Sequence, residues 1–369
     1  MSRMKSIARS YLLAAGAASI AAATLFGGEG NAFAADVGSL AMLKGPERQK
    51  VLLEGARKEG KVVLYSAMIV NQALRPLVDG FNALYPGVTA EFWRADSRDI
   101  VNKVLVEQRA RALQVDVVES GSVAPAFIEA NLLEPFYSSA FPEYNKDLLD
   151  PKGFWAATRL NYYGLAYNTK LVSKSDVPKT YDEMLDPRNL NKYSWAADTE
   201  NGGAMMFITA LRKSMGEAQA EKFLQNLSKQ KIVNASGSPR ALVDRVIQGE
   251  YPMAIGMFAH HPLISAGKGA PVDSQMMDPI PSNSSDIMLM KNAPRPHAAL
   301  LLIDFMMSKE GQTLLQAAEY FPAHPAVDPL DSLRSIVPAR IGMKQVFMSP
   351  ETTFEYREKS IEIQKKYFD

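Results

Sequence analysis

Two adjacent histidines have the side chains with the most versatile chemistry in this sequence. His260 and His261 are two of the chain's four histidines, and they closely follow the apolar run 253–257, which we predict to be a strand. Neutral imidazole nitrogens bind transition metals and donate hydrogen bonds to anions. Adjacent side chains rarely aim at one atom, so the alternative is that one ring meets a ligand while the other packs beneath it or caps the helix begun by Pro262. The pair is a candidate for ligand contact and for a metal site.

Two predicted helix starts offer hydrogen-bond donors to an anion. Asn201-Gly202-Gly203 precedes a helix predicted over 204–215, and Ser238-Pro239-Arg240 opens one predicted over 239–248. The first N–H groups of a helix have no partner inside it, and the helix dipole favours negative charge there. Arg240 adds a guanidinium that can form paired hydrogen bonds to a carboxylate or phosphate. Ordinary helix capping is the alternative at both places, and Glu200 argues against a highly charged anion.

A third group of candidates lies where three predicted strands end. The apolar runs 61–66, 88–94 and 115–119 alternate with helices predicted over 74–84 and 98–111, the βαβαβ pattern of a parallel sheet covered by helices. Such sheets bind ligands beyond the carboxyl ends of their strands. The candidates there are Ser66, Met68, Ser120 and Ser122. For the serines, ordinary turn and capping chemistry is an equal alternative.

The alternation of strands and helices continues to the end of the chain, so we predict an α/β fold. Further strands are predicted over 162–167 and 193–197, and a helix over 217–227. An apolar strand at 287–290 and an apolar helix over 297–307 come late in the chain, as if one domain were interrupted by another. The helix includes Asp304 and is short, which indicates packing in a soluble core and not a membrane span.

The N-terminus has the pattern of a cleaved secretory signal over residues 1–34. Basic residues precede the charge-free run 11–26, and Ala32-Phe33-Ala34 is the small-x-small pattern of a cleavage site. A membrane anchor is the alternative, and helix-weakening glycines directly after the run argue against it. The chain has no cysteine, which excludes both a lipid-modified cysteine and disulfides. We therefore expect a freely diffusing periplasmic protein.

Size and charge narrow the function further. Removing residues 1–34 leaves 335 residues, more than one core usually supports, so two domains are expected. The same removal turns 41 basic and 40 acidic residues into 38 and 39, a net charge near −1. Nothing in this balance indicates a nucleic-acid partner.

The sequence resembles the bacterial extracellular solute-binding proteins of ABC importers, especially the subgroup that contains ferric-ion-binding proteins. The resemblance spans nearly all of the chain after the signal, and its strength lies in the order and spacing of short segments. These are VVLYS (62–66), DVV (116–118), NLLEP (131–135), YNT (167–169), TYDEMLDP (180–187), QGE (248–250) and SKEGQ (308–312).

This resemblance implies a type II periplasmic-binding fold, with two lobes joined by hinge strands and the ligand in the cleft between them. One lobe would comprise 36–155 plus 280–320, and the other 156–279 plus 321–369. In the ferric subgroup adjacent tyrosines bind the metal, and His260-His261 stands at their place, so this chain departs from the iron pattern. The stretch containing Asn201-Gly202-Gly203 matches the family's loop for an anion bound beside the metal.

These features predict a receptor that captures a small carboxylate- or phosphate-bearing organic solute for an ABC importer permease. We expect a monomer with no cofactor and no catalytic activity. One alternative is a metal receptor that uses His260 and His261 with a co-bound anion. Another is a periplasmic metal-dependent hydrolase, but the sequence lacks H-E-x-x-H spacing, a G-x-S-x-G elbow and a cysteine nucleophile.

Overall fold

The computed structural model describes residues 37–197 and 203–369. The predicted secretory signal over residues 1–34 lies outside the described residues, and so do Asn201 and Gly202.

Twelve strands occur in the described residues. In chain order they are β1 (Lys61–Ser66), β2 (Thr89–Arg94), β3 (Val117–Ser120), β4 (Leu133–Glu134), β5 (Ala156–Asn168), β6 (Tyr193–Ala196), β7 (Val233–Ala235), β8 (Met253–Phe258), β9 (Val272–Gln275), β10 (Ile280–Met290), β11 (Phe321–Pro322) and β12 (Gln345–Met348).

The same part of the chain forms thirteen α-helices. They are α1 (Val37–Ala41), α2 (Arg48–Glu59), α3 (Arg75–Leu84), α4 (Ser97–Arg109), α5 (Ala124–Glu129), α6 (Gly203–Met215), α7 (Glu217–Leu227), α8 (Pro239–Gln248), α9 (His260–Gly267), α10 (Pro296–Met307), α11 (Lys309–Ala317), α12 (Pro338–Ile341) and α13 (Pro350–Phe368). The predicted α/β fold is confirmed, with helices flanking a mixed sheet.

One twisted path of paired strands runs through the molecule in the order β2-β1-β3-β10-β5-β8-β6-β7. The outer pairs β2/β1, β1/β3, β8/β6 and β6/β7 are parallel, whereas the central pairs β3/β10, β10/β5 and β5/β8 are antiparallel. The long strands β5 and β10 therefore connect two groups of parallel strands. Parallel strands in each group place their carboxyl ends, and the helix starts that follow, at a common edge.

The hydrophobic core is also grouped. The largest cluster of buried apolar side chains draws on residues 41–157 and 287–323, and it surrounds β1, β3 and α10. Separate clusters on the other side include Trp195 and Phe207, between β6 and α6, and Leu242 and Val246 on α8. Each group of parallel strands thus has its own packed interior.

Helix α10 shows how this core accepts a charge. It is apolar on nearly every side and buried against α2, and its Asp304 pairs with the buried Arg48 at 2.7 Å. Arg48 also donates to the carbonyls of Leu43 and Tyr137. Among the described residues, no helix is long and apolar enough to cross a membrane.

Candidate functional site

A cavity of about 380 Å³ opens between the two groups of parallel strands. Its wall combines the ends of β1, β2, β3 and β8, the first turns of α4, α8 and α9, and the middle of β5 and β10. The lining residues are Ala67, Ile69, Arg94, Asp96, Ser97, Arg98, Asp99, Gly121, Arg159, Asn161, Gly237, Ser238, Pro239, Arg240, Phe258, His260, His261, Ser285 and Tyr320. A space of this size suits a small organic molecule.

Arg159 is the most deeply held charge in this wall. It extends from β5 and is only 6% exposed, and its Nη1 donates to Glu119 Oε1 at 2.5 Å. Glu119 is itself fixed, because it accepts hydrogen bonds from Ser66 at 2.7 Å and from Thr158 at 3.1 Å. The guanidinium also lies 4.8 Å from the ring centre of Tyr320. Arg159 is therefore positioned before any ligand arrives.

Arg240 faces the cavity from the first turn of α8. Its Nη2 donates to Asp244 at 2.6 Å, and its Nη1 donates to Ser265 at 3.0 Å and to the His261 carbonyl at 3.2 Å. Ser238 caps the same helix, since its side chain accepts from the Ala241 N–H at 3.3 Å. Ser238 therefore both caps α8 and lines the cavity. The preceding Gly237, with a left-handed φ of 98°, also lines the cavity.

The loop from β2 into α4 supplies charges of both signs. Arg94 pairs with Asp96 at 2.9 Å, and both side chains remain partly exposed. Arg98 and Asp99 lie in the first turn of α4 and line the cavity as well. Across the whole lining, four guanidinium groups face two carboxylates. The lining therefore offers more guanidinium donors than carboxylates, while Glu119 and Asp244 outside the lining balance the charges of Arg159 and Arg240.

His260 and His261 close one end of the cavity. Both are buried, at 1% and 7% exposure, with ring centres 4.4 Å apart. Within residues 37–197 and 203–369, neither nitrogen of His260 has a hydrogen-bond partner, and neither does Nδ1 of His261. Burial, aided by the positive charges of Arg159 and Arg240, lowers the pKa of His260 to about 3. Burial, His260 and the same two arginines lower the pKa of His261 well below its usual value. Both rings are therefore neutral at physiological pH.

Four of the eleven predicted ligand-contact residues lie together in this lining: Ser238, Arg240, His260 and His261. Ser66 is buried beneath the wall, where it bonds Glu119, and Met68 is part of the largest core cluster. Ser120 is also buried and lies 2.9 Å from the lining residue Ser97. These three positions support the cavity wall from behind.

The remaining predicted positions lie elsewhere. Ser122 is half-buried next to the lining residue Gly121, with a left-handed φ of 61°. Gly203 begins α6 and packs against β8, where a Cβ added to Gly256 would come within 2.6 Å of its carbonyl oxygen. Gly203 is not among the lining residues. Asn201 and Gly202 lie outside the described residues.

Sequence reasoning missed Arg159, Phe258 and Tyr320. Arg159 sits inside a strand, and its partner Glu119 is 40 residues away on another strand, so no local pattern marks the pair. Tyr320 follows α11, where no local pattern indicates a ligand role, and it lines the cavity. Arg159 is the lone charge in the largely apolar stretch 156–168, and this was an available signal because a charge in a buried strand needs a partner.

The described residues contain no group of three or more histidine, aspartate or glutamate side chains arranged to hold a metal ion. The two imidazoles would therefore need further ligands from a bound solute to complete a coordination shell.

A solvent-reachable cavity between two packed α/β groups, lined by charges and aromatic rings, is typical of a protein that binds a small ligand. The chain belongs to the bacterial extracellular solute-binding protein family, whose model matches residues 113–335. Members of this family are receptors that bind a small ligand and work with the permeases of ABC transporters; they are binding proteins and not enzymes.

Three known proteins illustrate the relationship. A Salmonella typhimurium protein with the name "Putative 2-aminoethylphosphonate-binding periplasmic protein" is 24% identical over 255 residues, 66% of this chain and 72% of its own length. The periplasmic binding protein AfuA of Actinobacillus pleuropneumoniae, with fructose-6-phosphate bound, superposes with a TM-score of 0.69 at 21% identity, covering 84% of this chain and 99% of AfuA. Iron-bound HitA of Pseudomonas aeruginosa gives 0.70 at 17% identity, covering 83% and 99%. The predicted type II periplasmic-binding fold is confirmed by these similarities.

Proposed function

We propose that this protein is the periplasmic substrate-binding component of an ABC importer and that it captures a small organic anion bearing a phosphate, phosphonate or carboxylate group. The observation that carries the proposal is the cavity wall, in which Arg159 is buried and held by Glu119 while Arg240 lines the cavity from the first turn of α8. Two guanidiniums held in advance lose little freedom when they bind an oxyanion, and each can form charge-assisted hydrogen bonds.

Helix α8 contributes to the part of the site around Arg240. Its first turn, from Ser238 to Arg240, lines the cavity, and the positive end of its dipole faces the space beside Arg240. The helix start alone would be ordinary capping. Together with the guanidiniums, it favours an anionic ligand.

Similar proteins include binders of organic anions and binders of iron. One relative carries the name of a phosphonate-binding protein, and AfuA holds a sugar phosphate. HitA holds iron, which keeps a metal receptor as the rival. Against that rival, the lining has four guanidiniums, which donate hydrogen bonds to oxyanions, and only two carboxylates that could bind a cation.

We propose further that the two core groups act as lobes that close on the ligand. One lobe would comprise 36–155 plus 280–320, and the other 156–279 plus 321–369, with β5 and β10 crossing between them. A ligand shifts an open–closed equilibrium only if it contacts the closed form better. Arg94 and Gly121 on one side of the cavity, and Arg240 and His260 on the other, would supply those contacts.

A thermal-shift screen tests the proposal. The protein is heated with organophosphates, phosphonates and carboxylates, and separately with Zn²⁺, Cu²⁺ and Fe³⁺. A ligand that binds only the folded state raises the unfolding temperature by mass action. We expect shifts from one or more organic anions without added metal. Shifts from metals alone would favour the metal receptor instead, and measurable turnover of a stabilising solute would favour the hydrolase.

A further inference from the structure

We propose that Asn161 determines the specificity of the site. It would select ligands that carry a hydrogen-bond donor, either an O–H or an N–H, within a few covalent bonds of the anionic group. The inference rests on the proposed function, because Arg159 is taken to hold the anionic end. It gives the lining an acceptor beside its guanidinium donors.

Asn161 lies beside Arg159 on the two long central strands. The two residues are two positions apart on β5, so their side chains leave the same face of the strand about 7 Å apart. On β10, Ser285 stands opposite Arg159, and Asn283 stands opposite Asn161. Arg159, Asn161 and Ser285 all line the cavity. The central strands therefore present a guanidinium and an amide to the same space.

The Asn161 amide is oriented by its own nitrogen. Nδ2 donates to Asn283 Oδ1 at 3.0 Å and to Ser285 Oγ at 3.4 Å, so both of its hydrogens are used inside the protein. Asn283 in turn hydrogen-bonds the hydroxyl of the buried Tyr163. Because the nitrogen is bound to β10, the amide presents only its oxygen, Oδ1, to a ligand.

This oxygen is an unused acceptor that the cavity reaches. Within residues 37–197 and 203–369, Asn161 Oδ1 accepts no hydrogen bond, although the residue is only 4% exposed. Oδ1 keeps some accessible surface, whereas the nitrogens of His260 have essentially none. Since Asn161 lines the cavity, that surface is reached from there. A ligand that displaces water from this oxygen must donate a hydrogen bond in return.

Arg159 supplies the complementary donors. Only its Nη1 bonds Glu119, and its Nε and Nη2 have no hydrogen-bond partner in the part of the chain that the structure describes. Guanidinium N–H groups bind the oxygens of phosphate, phosphonate and carboxylate. Those oxygens cannot satisfy Asn161 Oδ1, because both sides only accept. The part of the ligand next to Asn161 therefore differs from its anionic group.

Two kinds of substituent supply the missing donor. A hydroxyl and an amino group both donate to an amide oxygen, whereas an ether oxygen and an alkyl group do not. The ligand class is thus an organic anion with a neighbouring O–H or N–H. Comparing hydroxyl and amino analogues on one carbon skeleton separates the two sources.

Titration calorimetry with two matched series tests the inference. The full-length protein is titrated with 2-hydroxyethyl-, 2-aminoethyl-, 2-methoxyethyl- and ethylphosphonate. The second series is 3-hydroxypropionate, β-alanine, 3-methoxypropionate and propionate. We expect the hydroxyl or the amino member of at least one series to bind about tenfold more tightly than the methoxy and plain members, or better, because the latter leave Oδ1 unpaired. The tighter of the two identifies the donor.

The variants Asn161→Leu and Asn161→Asp form a matched pair. Both lose the hydrogen bonds from Nδ2 to Asn283 and Ser285, but only aspartate keeps an acceptor oxygen. Asn161→Leu should bind all members of a series with nearly equal affinity, and Asn161→Asp should keep the preference for a donor. The control Asn226→Leu removes an asparagine of α7 that bonds Lys229 outside the lining, and it should keep the wild-type affinities.

The outcomes are distinguishable. If wild-type protein binds the plain or methoxy members as tightly as the hydroxyl and amino members, the inference is wrong while the proposed function stands. Retention of the donor preference by Asn161→Leu, or its loss in Asn161→Asp, would show that Oδ1 is not the acceptor. If no member of either series binds, the inference is wrong, and binding of Zn²⁺ alone would show that the proposed function fails too.

Discussion

At the scale of single residues, the binding chemistry depends on partners that are distant in sequence. Glu119 holds Arg159 in place, and burial, aided by the positive charge of Arg159, lowers the pKa of His260 and keeps its ring neutral. The sequence predicted Arg240 because it lies at a predicted helix start, and His260 because a pair of imidazoles follows a predicted strand; both are local patterns. It did not predict Arg159. The role of Arg159 depends on its ion pair with Glu119 near the end of β3, and only the folded sheet brings these two residues together.

Replacing Arg159 with methionine should weaken anion binding at least about thirtyfold, equivalent to about 2 kcal/mol. The same change leaves the buried Glu119 without its cationic partner and should cost about 3–5 kcal/mol of stability. The double variant Arg159→Met/Glu119→Gln should recover much of that stability but not the affinity. Calorimetry and urea unfolding measure the two effects separately; recovery of both in the double variant would show that Arg159 has only a structural role.

The buried imidazole also makes a prediction about acid. The pKa of His260 falls from 6.5 to about 3 on folding, so between these values the unfolded chain binds a proton that the folded chain refuses. This residue therefore reduces stability progressively as pH falls from 6.5 towards 3. His260→Phe should be more stabilising, relative to wild type, at pH 4.5 than at pH 8 in urea unfolding. An equal effect at both pH values would mean that the ring is accessible to protons.

At the scale of elements, the spacing of apolar residues predicted the bounds of a helix accurately where the helix has distinct polar and apolar faces. Helices α7 and α8 begin and end at the predicted residues, and α8 has both a serine cap and a closing Gly249 with φ of 84°. Helix α2 was not predicted, since it buries only Arg48, Leu52 and Ala56 and offers little apolar periodicity. Strands β5 and β10 are longer than predicted. Both contain polar residues, which interrupt the apolar pattern of the sequence and are buried because these strands cross the centre of the molecule.

Strand β10 contains an acid whose ionisation opposes folding. Asp286 is buried, and neither of its carboxylate oxygens has a hydrogen-bond partner among the described residues. Burial, with a contribution from the charge of Glu119, raises its pKa from 3.8 to about 8. The folded state therefore holds this proton more tightly, so the associated stability is complete below pH 3.8 and is lost as pH rises through 8.

Asp286→Asn should accordingly stabilise the protein more at pH 9 than at pH 5. The exposed Asp79 provides the matched control, and Asp79→Asn should change stability little and equally at both pH values. Urea unfolding at the two pH values measures the difference. If Asp286→Asn shows no pH dependence relative to that control, the carboxyl is ionised throughout this range.

At the scale of the whole molecule, the alternation of strands and helices predicted the fold class, and the family followed from the order of short segments. The residues that line the cavity could not be predicted in the same way. They lie on or next to β1, β2, β3, β5, β8 and β10 and are spread over 219 residues of sequence, from Ala67 to Ser285. The proposed closure predicts that a bound organic anion lowers the radius of gyration measured by small-angle X-ray scattering. An unchanged radius at saturation would contradict closure without affecting binding.

The most direct test of the central claim is native mass spectrometry of the protein recovered from its own periplasm. The account predicts one small organic anion per chain, and predicts its loss in the Arg159→Met/Glu119→Gln variant purified in the same way. A stoichiometric metal ion without an organic partner, or the same anion retained by that variant, would contradict it.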